Sequence, residues 1–128
     1  MADAQQTNSH VEREFRARTR GSAELYARAR RVIPAGLTHD SRTLLPYPIY
    51  ASRAKGPRKW DVDGHEYVDY FGGHGALLLG HGHPAVVAAI ERQARTGTHF
   101  GASHELEVEW AEAINRLIPC AERVRFTA

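Results

Sequence analysis

The chain contains a single cysteine in 128 residues, which excludes a framework of internal disulfide bonds. A lone thiol fits a reducing compartment. Cys120 follows Pro119 without a basic partner, so we expect a buried structural thiol and not a nucleophile. No apolar run approaches the roughly 20 residues of a membrane span, and the first residues lack the apolar core of a signal peptide. We therefore expect a cytoplasmic protein with no membrane contact.

Lysine is almost absent, since Lys55 and Lys59 are the only two. The positive charge comes from arginine, and seven arginines lie between Arg13 and Arg31. Such a basic segment fits contact with nucleic acid or an acidic membrane, but it also fits a solvated helix face or a contact with a partner subunit. No aromatic platform or phosphate-binding motif accompanies the arginines. The sequence therefore favours the helix face and predicts no nucleic-acid partner.

Complete nucleotide-binding and calcium-binding motifs are also missing. The glycine-rich run at residues 72–75 lacks the glycine spacing of the dinucleotide and P-loop fingerprints. Asp61, Asp63 and Gly64 resemble the start of a calcium loop, but the third ligand and the closing glutamate are missing. Aspartate followed by glycine is a strong signal for a tight hairpin. We therefore predict a β-hairpin turn at Asp63 and Gly64.

Histidine is abundant, with five of its eight residues between positions 74 and 104. A metal site built from His74, His81 and His83 is one interpretation, because imidazole is a common zinc ligand. No carboxylate or cysteine stands at ligand spacing beside this group. The spacing instead favours structural roles, in which His81 or His83 hydrogen-bonds the backbone at a turn. We therefore predict no metal ligands in this chain.

The periodicity of the chain predicts an α/β fold. Residues 1 to about 9 look disordered, and Gly21 and Ser22 suggest a helix break and N-cap before a helix that Pro34 and Gly36 end. Further on, the pattern predicts strands at Ile49–Ala54, Arg58–Val62 and Glu66–Tyr70, a helix from Pro84 that Gly97 stops, a helix that Ser103 caps and Pro119 ends, and a strand at Arg123–Thr127.

Eight short segments, spread over nearly the whole chain from about residue 22, form a characteristic pattern through their order and spacing. These segments are Glu24–Gly36, Ala54–Gly56, Trp60–Gly64, Tyr67–Tyr70, Gly80–Pro84, Gly97–Ala102, Glu105–Val108 and Glu122–Phe126. In this order they resemble the class III pyridoxal-phosphate (PLP) aminotransferases, and among these the glutamate-1-semialdehyde 2,1-aminomutase-like members.

The resemblance implies an N-terminal fragment of that family. It implies an N-terminal helix and β-hairpin segment, followed by the opening helices and first strand of a large domain of the aspartate-aminotransferase type, truncated at Ala128. The expected organisation is a disordered or frayed helical N-terminus over 1–21, an N-terminal segment of helix, extended loop and hairpin over 22–72, and an incomplete PLP-binding domain over 73–128.

The same resemblance implies amino-group transfer with PLP as cofactor. The Schiff-base lysine and the serine-glycine-threonine turn that holds the phosphate lie beyond Ala128 in the family, so we expect no catalytic and no cofactor-binding residue here, and no PLP binding by this fragment. Arg42 matches a position where aminomutase-like members bind the substrate carboxylate. His74 stands where many relatives carry tryptophan near the cofactor, and this difference favours an aminotransferase with another substrate.

Three functions therefore remain open at the level of sequence. The first is part of a homodimeric PLP aminotransferase that acts on an amino acid or amino-aldehyde/keto acid, not competent as this fragment. The second is a fragment of an aminomutase, which is an isomerase. The third is a non-enzymatic module that dimerises or binds metal through histidines.

Overall fold

In this computed structural model the described residues are 4–127, and the chain divides into two compact units, Met1–Val86 and Val87–Ala128. The first unit combines two helices with a small antiparallel sheet in the order β1-β2-β3. Its elements are α1 (Ala4–Arg18), α2 (Arg20–Ala29), 3₁₀ turns at Pro34–Gly36 and Asp40–Arg42, β1 (Ala51–Lys55), β2 (Arg58–Asp61) and β3 (Glu66–Val68). The three strands predicted in this region are confirmed, as is the hairpin between β2 and β3.

The break between α1 and α2 lies at Thr19, so the break and cap predicted at Gly21 and Ser22 were wrong. Both residues belong to the first turn of α2, where backbone N–H groups have no partner within the helix. Asp63 of the β2–β3 turn supplies the partner: its carboxylate accepts from Gly21 N at 2.6 Å and from Ser22 N at 3.0 Å. The hydroxyl of Ser22, which is fully buried, donates to the same carboxylate at 3.0 Å. A side chain more than forty positions away therefore caps α2.

The disorder predicted for residues 1 to about 9 was wrong for residues 4–9, which belong to α1. Residues 1–3 lie outside the described part of the chain. Tyr47 fills the junction of α1 and α2 and is 4% exposed, the one buried large apolar side chain of residues 9–127. Its ring centroid lies 5.2 Å from that of Phe15 and 6.3 Å from that of Tyr26. Its hydroxyl is 3.1 Å from Thr19 Oγ1, a buried group that would otherwise lack a side-chain partner. Tyr47 thus forms the centre of the first unit.

The helix predicted from Pro84 is confirmed as α3 (Pro84–Ala94), and a further helix, α4, spans Glu105–Leu117 in the second unit. Its N-cap is His104, not the predicted Ser103: Nδ1 of His104 accepts from Leu106 N at 3.1 Å. The imidazole nitrogen performs the role usually taken by a short oxygen-bearing side chain. Within residues 4–127, no helix is long and apolar enough to cross a membrane.

Residues 123–127 are not a strand, in contrast to the prediction from their alternation. A strand needs a neighbour for its backbone groups, and the described residues offer none at this position. Phe126 is instead held by its ring, which stacks on Trp110 with centroids 3.9 Å apart. Cys120 is exposed, so the expected burial of its thiol was also wrong.

Candidate functional site

Asp61 organises the turn between β2 and β3. Its carboxylate is 2% exposed and accepts from the backbone N–H groups of His65 at 2.8 Å and Asp63 at 3.0 Å. The other oxygen contacts Tyr67 Oη at 2.8 Å and Nδ1 of His65 at 3.0 Å. In the segment that resembled a calcium loop, the Asp61 carboxylate thus stabilises the hairpin turn, from which Asp63 contacts α2.

Asp61 and Tyr67 shift each other's pKa. Burial raises the pKa of Tyr67 to about 12, and its hydrogen bond to Asp61 adds to the increase. For Asp61, burial opposes ionisation, but the hydrogen bonds from Tyr67 and His65 outweigh it and lower the pKa of the carboxyl group. A raised phenol pKa contributes stability that is complete below pH 10 and is lost as pH rises through about 12.

Substitution Asp61→Asn should therefore lower the pKa of Tyr67 from about 12 towards its ordinary value of 10, because the negative charge that disfavours phenolate is removed. NMR titration of the Tyr67 Cζ resonance measures the shift directly. Asp40→Asn, which removes an exposed carboxylate of the same unit, is the matched control and should leave the value unchanged. An unchanged Tyr67 titration in Asp61→Asn would contradict the contribution assigned to Asp61 and leave burial as the cause.

Asp69 lies directly after β3 and binds four donors. Its carboxylate, 4% exposed, accepts from His81 Nε2 at 2.6 Å and Lys59 Nζ at 3.0 Å. It also accepts from the backbone N–H groups of Phe71 at 3.1 Å and Gly72 at 3.3 Å. The hydrogen bond from His81, followed by that from Lys59, holds the pKa of Asp69 well below its usual range. The side chain of His81 therefore binds a carboxylate, not the backbone group predicted for it.

The segment Phe71–Gly80, here called the glycine loop, returns to the sheet at its end. The backbone of His81 forms an isolated antiparallel bridge with Gly56, in which Gly56 N donates to His81 O at 2.8 Å and His81 N donates to Gly56 O at 2.9 Å. Gly80 lies so close to this bridge that a Cβ atom would be 2.9 Å from the backbone of Gly56. The glycine content of the loop thus permits a close approach of two backbone segments.

His74 occupies the middle of the glycine loop with an exposed side chain and a φ of +61°, unusual for a residue other than glycine. Its ring contacts Phe71 edge-on, with centroids 4.4 Å apart. It also meets the ring of His39, with centroids 5.6 Å apart. This second contact joins the loop to the 3₁₀ turn at Asp40–Arg42.

Arg42 ends that turn and has an exposed guanidinium group, and its Nη1 donates to Thr38 Oγ1 at 2.8 Å. His39 caps the turn, since its Nδ1 accepts from Ser41 N at 3.1 Å. The residue that caps the turn of Arg42 is therefore the one whose ring contacts His74. His39 therefore links the turn that carries Arg42 to the loop that carries His74, the two site residues predicted from sequence.

Sequence reasoning missed two residues of this region. His39 carried no motif, and its role depends on a contact with a residue 35 positions later. Asp69 carried a usable signal, because an aspartate just before a glycine run often accepts from the backbone N–H groups that follow it. The histidines of the metal interpretation are not assembled: among residues 4–127, no three ligand-type side chains form a group that could hold a metal ion.

The sequence model of the aminotransferase class-III family matches residues 40–128. The chain is 44% identical over 110 residues to glutamate-1-semialdehyde 2,1-aminomutase of Leptothrix cholodnii, covering 84% of this chain and 25% of that protein. Its fold is similar to a β-phenylalanine aminotransferase from Variovorax paradoxus, with a TM-score of 0.90, 26% identity, and coverage of 96% of this chain and 29% of that one. It is also similar to a transaminase solved with PLP bound, with a TM-score of 0.81, 42% identity, and coverage of 85% and 26%.

The chain therefore spans about a quarter of the length of the curated relatives it matches. The resemblance noted in the sequence, the α/β fragment of the transaminase fold and PLP as the cofactor of the family are confirmed. The described residues themselves do not fit a PLP site. A Schiff-base lysine is activated by desolvation in an apolar pocket, whereas Lys59 is paired with Asp69 and Lys55 is exposed on β1.

Proposed function

The chain belongs to the aminotransferase class-III family, and from that premise we propose that it supplies the N-terminal part of a PLP-dependent aminotransferase whose substrate carries a carboxylate. The family match supports the reaction class, and the exposed guanidinium group of Arg42, in the turn that His39 caps, supports a carboxylate substrate. The substrate is an amino acid or an amino-aldehyde or keto acid. The protein is cytoplasmic and works as a homodimer.

Arg42 is proposed to bind the substrate carboxylate. A guanidinium group presents its N–H donors in a planar fork that matches the two oxygens of a carboxylate. Within the described residues Thr38 takes one donation from Nη1, which leaves the rest of the fork available. The bond to Thr38 also restricts the rotation of the long side chain and so reduces the entropy that binding would remove.

His74 is proposed to line the same pocket as Arg42. Its imidazole presents polar nitrogen atoms where a purely apolar ring would present none, and its contacts with Phe71 and His39 use only the ring faces and edges. A polar wall of this kind favours a substrate with a hydrogen-bonding side chain. Because many relatives carry tryptophan at this position, the difference makes an aminotransferase with another substrate our first choice of reaction.

An aminomutase is the second candidate, and the observation that favours it is the 44% identity to a glutamate-1-semialdehyde 2,1-aminomutase. Both reactions use PLP, which stabilises negative charge at the carbon that loses a proton. The described residues contribute no step through this cofactor. We expect the 128-residue chain to bind no PLP covalently, and its contribution is confined to binding and shaping the substrate pocket.

The proposal predicts that Arg42→Ala weakens substrate binding. The variant is assayed in the longer protein encoded by the reading frame that contains this chain. The KM for the carboxylate substrate should rise about 10- to 100-fold, the equivalent of one charge-assisted contact, with kcat changed less. Steady-state kinetics over a panel of amino donors measures both constants. An unchanged KM would contradict the role of Arg42.

The matched control is Arg53→Ala, because Arg53 is also exposed but lies over the ring of Trp60, 3.6 Å from its centroid. We expect its KM to match that of the unmodified protein. Borohydride reduction with PLP supplies a second check: the longer protein should trap one cofactor on a lysine. Failure to trap it would refute the proposed reaction class, whatever the effect of Arg42.

A further inference from the structure

One carboxylate holds both ends of the glycine loop. At the start of the loop, Phe71 and Gly72 donate their backbone N–H groups to Asp69 Oδ1 at 3.1 and 3.3 Å. Directly after its end, His81 donates from Nε2 to Asp69 Oδ2 at 2.6 Å. Lys59 anchors the carboxylate to β2 through a contact of 3.0 Å. Since the side chain of Asp69 is only 4% exposed, solvent screens these contacts little.

The hydrogen bonds inside the loop depend on the residues that Asp69 holds. Gly75 N donates to Phe71 O at 3.0 Å, and Leu77 N donates to Gly72 O at 2.9 Å. Phe71 O belongs to the same peptide group as the Gly72 N–H that Asp69 binds, and Gly72 O belongs to the next peptide group. If Phe71 and Gly72 lose their orientation, the acceptors for Gly75 and Leu77 move with them.

His74 lies within both of the segments that these hydrogen bonds close, in a backbone conformation that its side chain disfavours. A non-glycine residue at φ +61° persists only where its surroundings hold it there. The ring of His74 rests on Phe71, whose own position depends on Asp69. The orientation of the imidazole therefore depends on the start of the loop, which Asp69 holds, as well as on the contact with His39.

We propose that Asp69, together with His81, is a positioning residue that fixes the glycine loop and so orients the His74 imidazole towards the substrate pocket. In this role Asp69 acts through the loop and His74, not by contact with the substrate. The link to substrate rests on the proposed function, whereas the hold on the loop does not. The two can therefore fail separately.

The test is amide hydrogen exchange and histidine ring NMR on the 128-residue chain carrying Asp69→Ala. Exchange at Gly75 and Leu77 should accelerate at least about tenfold, and the His74 ring resonances should shift. The matched control is Asp61→Ala, which removes another buried carboxylate with several donors from the same hairpin. This control should accelerate exchange in the turn at 62–65 and leave the loop amides within about twofold.

Substitution of His81 provides an independent pair of variants if Asp69→Ala does not fold. His81→Ala should accelerate exchange at Leu77, and His81→Gln, which keeps an N–H donor near the same place, should restore most of the protection. Unchanged exchange at Gly75 and Leu77 in the Asp69 or His81 variants would overturn the inference, as would equal loosening in Asp61→Ala. A loosened loop with normal substrate kinetics in the longer protein would instead refute the pocket role of His74.

Discussion

Replacing Tyr47 by alanine is expected to lower the free energy of unfolding of the first unit by about 3–5 kcal/mol, the usual cost of removing a buried aromatic ring. Tyr47 is 4% exposed and contacts both Phe15 and Tyr26 at the junction of α1 and α2. Its loss would also leave the buried Thr19 hydroxyl without its tyrosine partner. Urea denaturation followed by circular dichroism measures the effect.

Two variants separate the contributions to this loss. Tyr47→Phe keeps the ring and removes the hydroxyl contact with Thr19, so it should cost about 1 kcal/mol. Tyr70→Ala removes the same side chain from a site that is 95% exposed and should change stability by less than about 0.5 kcal/mol. Equal losses for Tyr47→Ala and Tyr70→Ala would show that Tyr47 is not the centre of the unit.

The second large effect is expected from Gly80→Ala, at about 2–4 kcal/mol. Gly80 has a φ of +75°, which a side chain disfavours, and its new Cβ would lie 2.9 Å from the backbone of Gly56. A backbone group cannot move aside as a flexible side chain can. The bridge between Gly56 and His81 should therefore open, and NMR exchange of those two amides together with urea denaturation would detect it.

Gly75→Ala is the matched control within the same loop. Gly75 has a similar φ of +82°, but no atom lies within 4 Å of a Cβ built there. Only the conformational cost applies, about 1 kcal/mol. Similar losses at Gly75 and Gly80 would mean that the close approach to Gly56 contributes nothing, and would remove the steric explanation for the glycine at position 80.

The sequence predicted those elements whose signals are local. Strand-type residues on both sides of the turn marked β1 to β3, the pair Asp63 and Gly64 marked the hairpin, and Pro84 marked the first residue of α3. Residues 123–127 show the limit of such signals, because alternation states a preference for strand and cannot supply the neighbouring strand that its hydrogen bonds require.

The contacts of the candidate site were harder to predict because they join distant parts of the chain. The cap of α2 comes from Asp63, and His74 meets His39, and neither pairing leaves a pattern in a short window. Arg42 and His74 were suggested by resemblance alone, and their roles at the substrate remain predictions. What the structure adds is the network of contacts that places them.

The Asp63 cap has a consequence for the order of folding. The helix signal at the start of α2 is weak, since glycine and serine occupy its first turn and the capping carboxylate is 41 and 42 positions away. Closing a chain segment of that length costs entropy before the bond can form. The first turn of α2 should therefore form late, once the hairpin exists. During synthesis, this turn would remain unformed until the ribosome has released residue 63, so the hairpin forms before the first turn of the helix that precedes it in the chain.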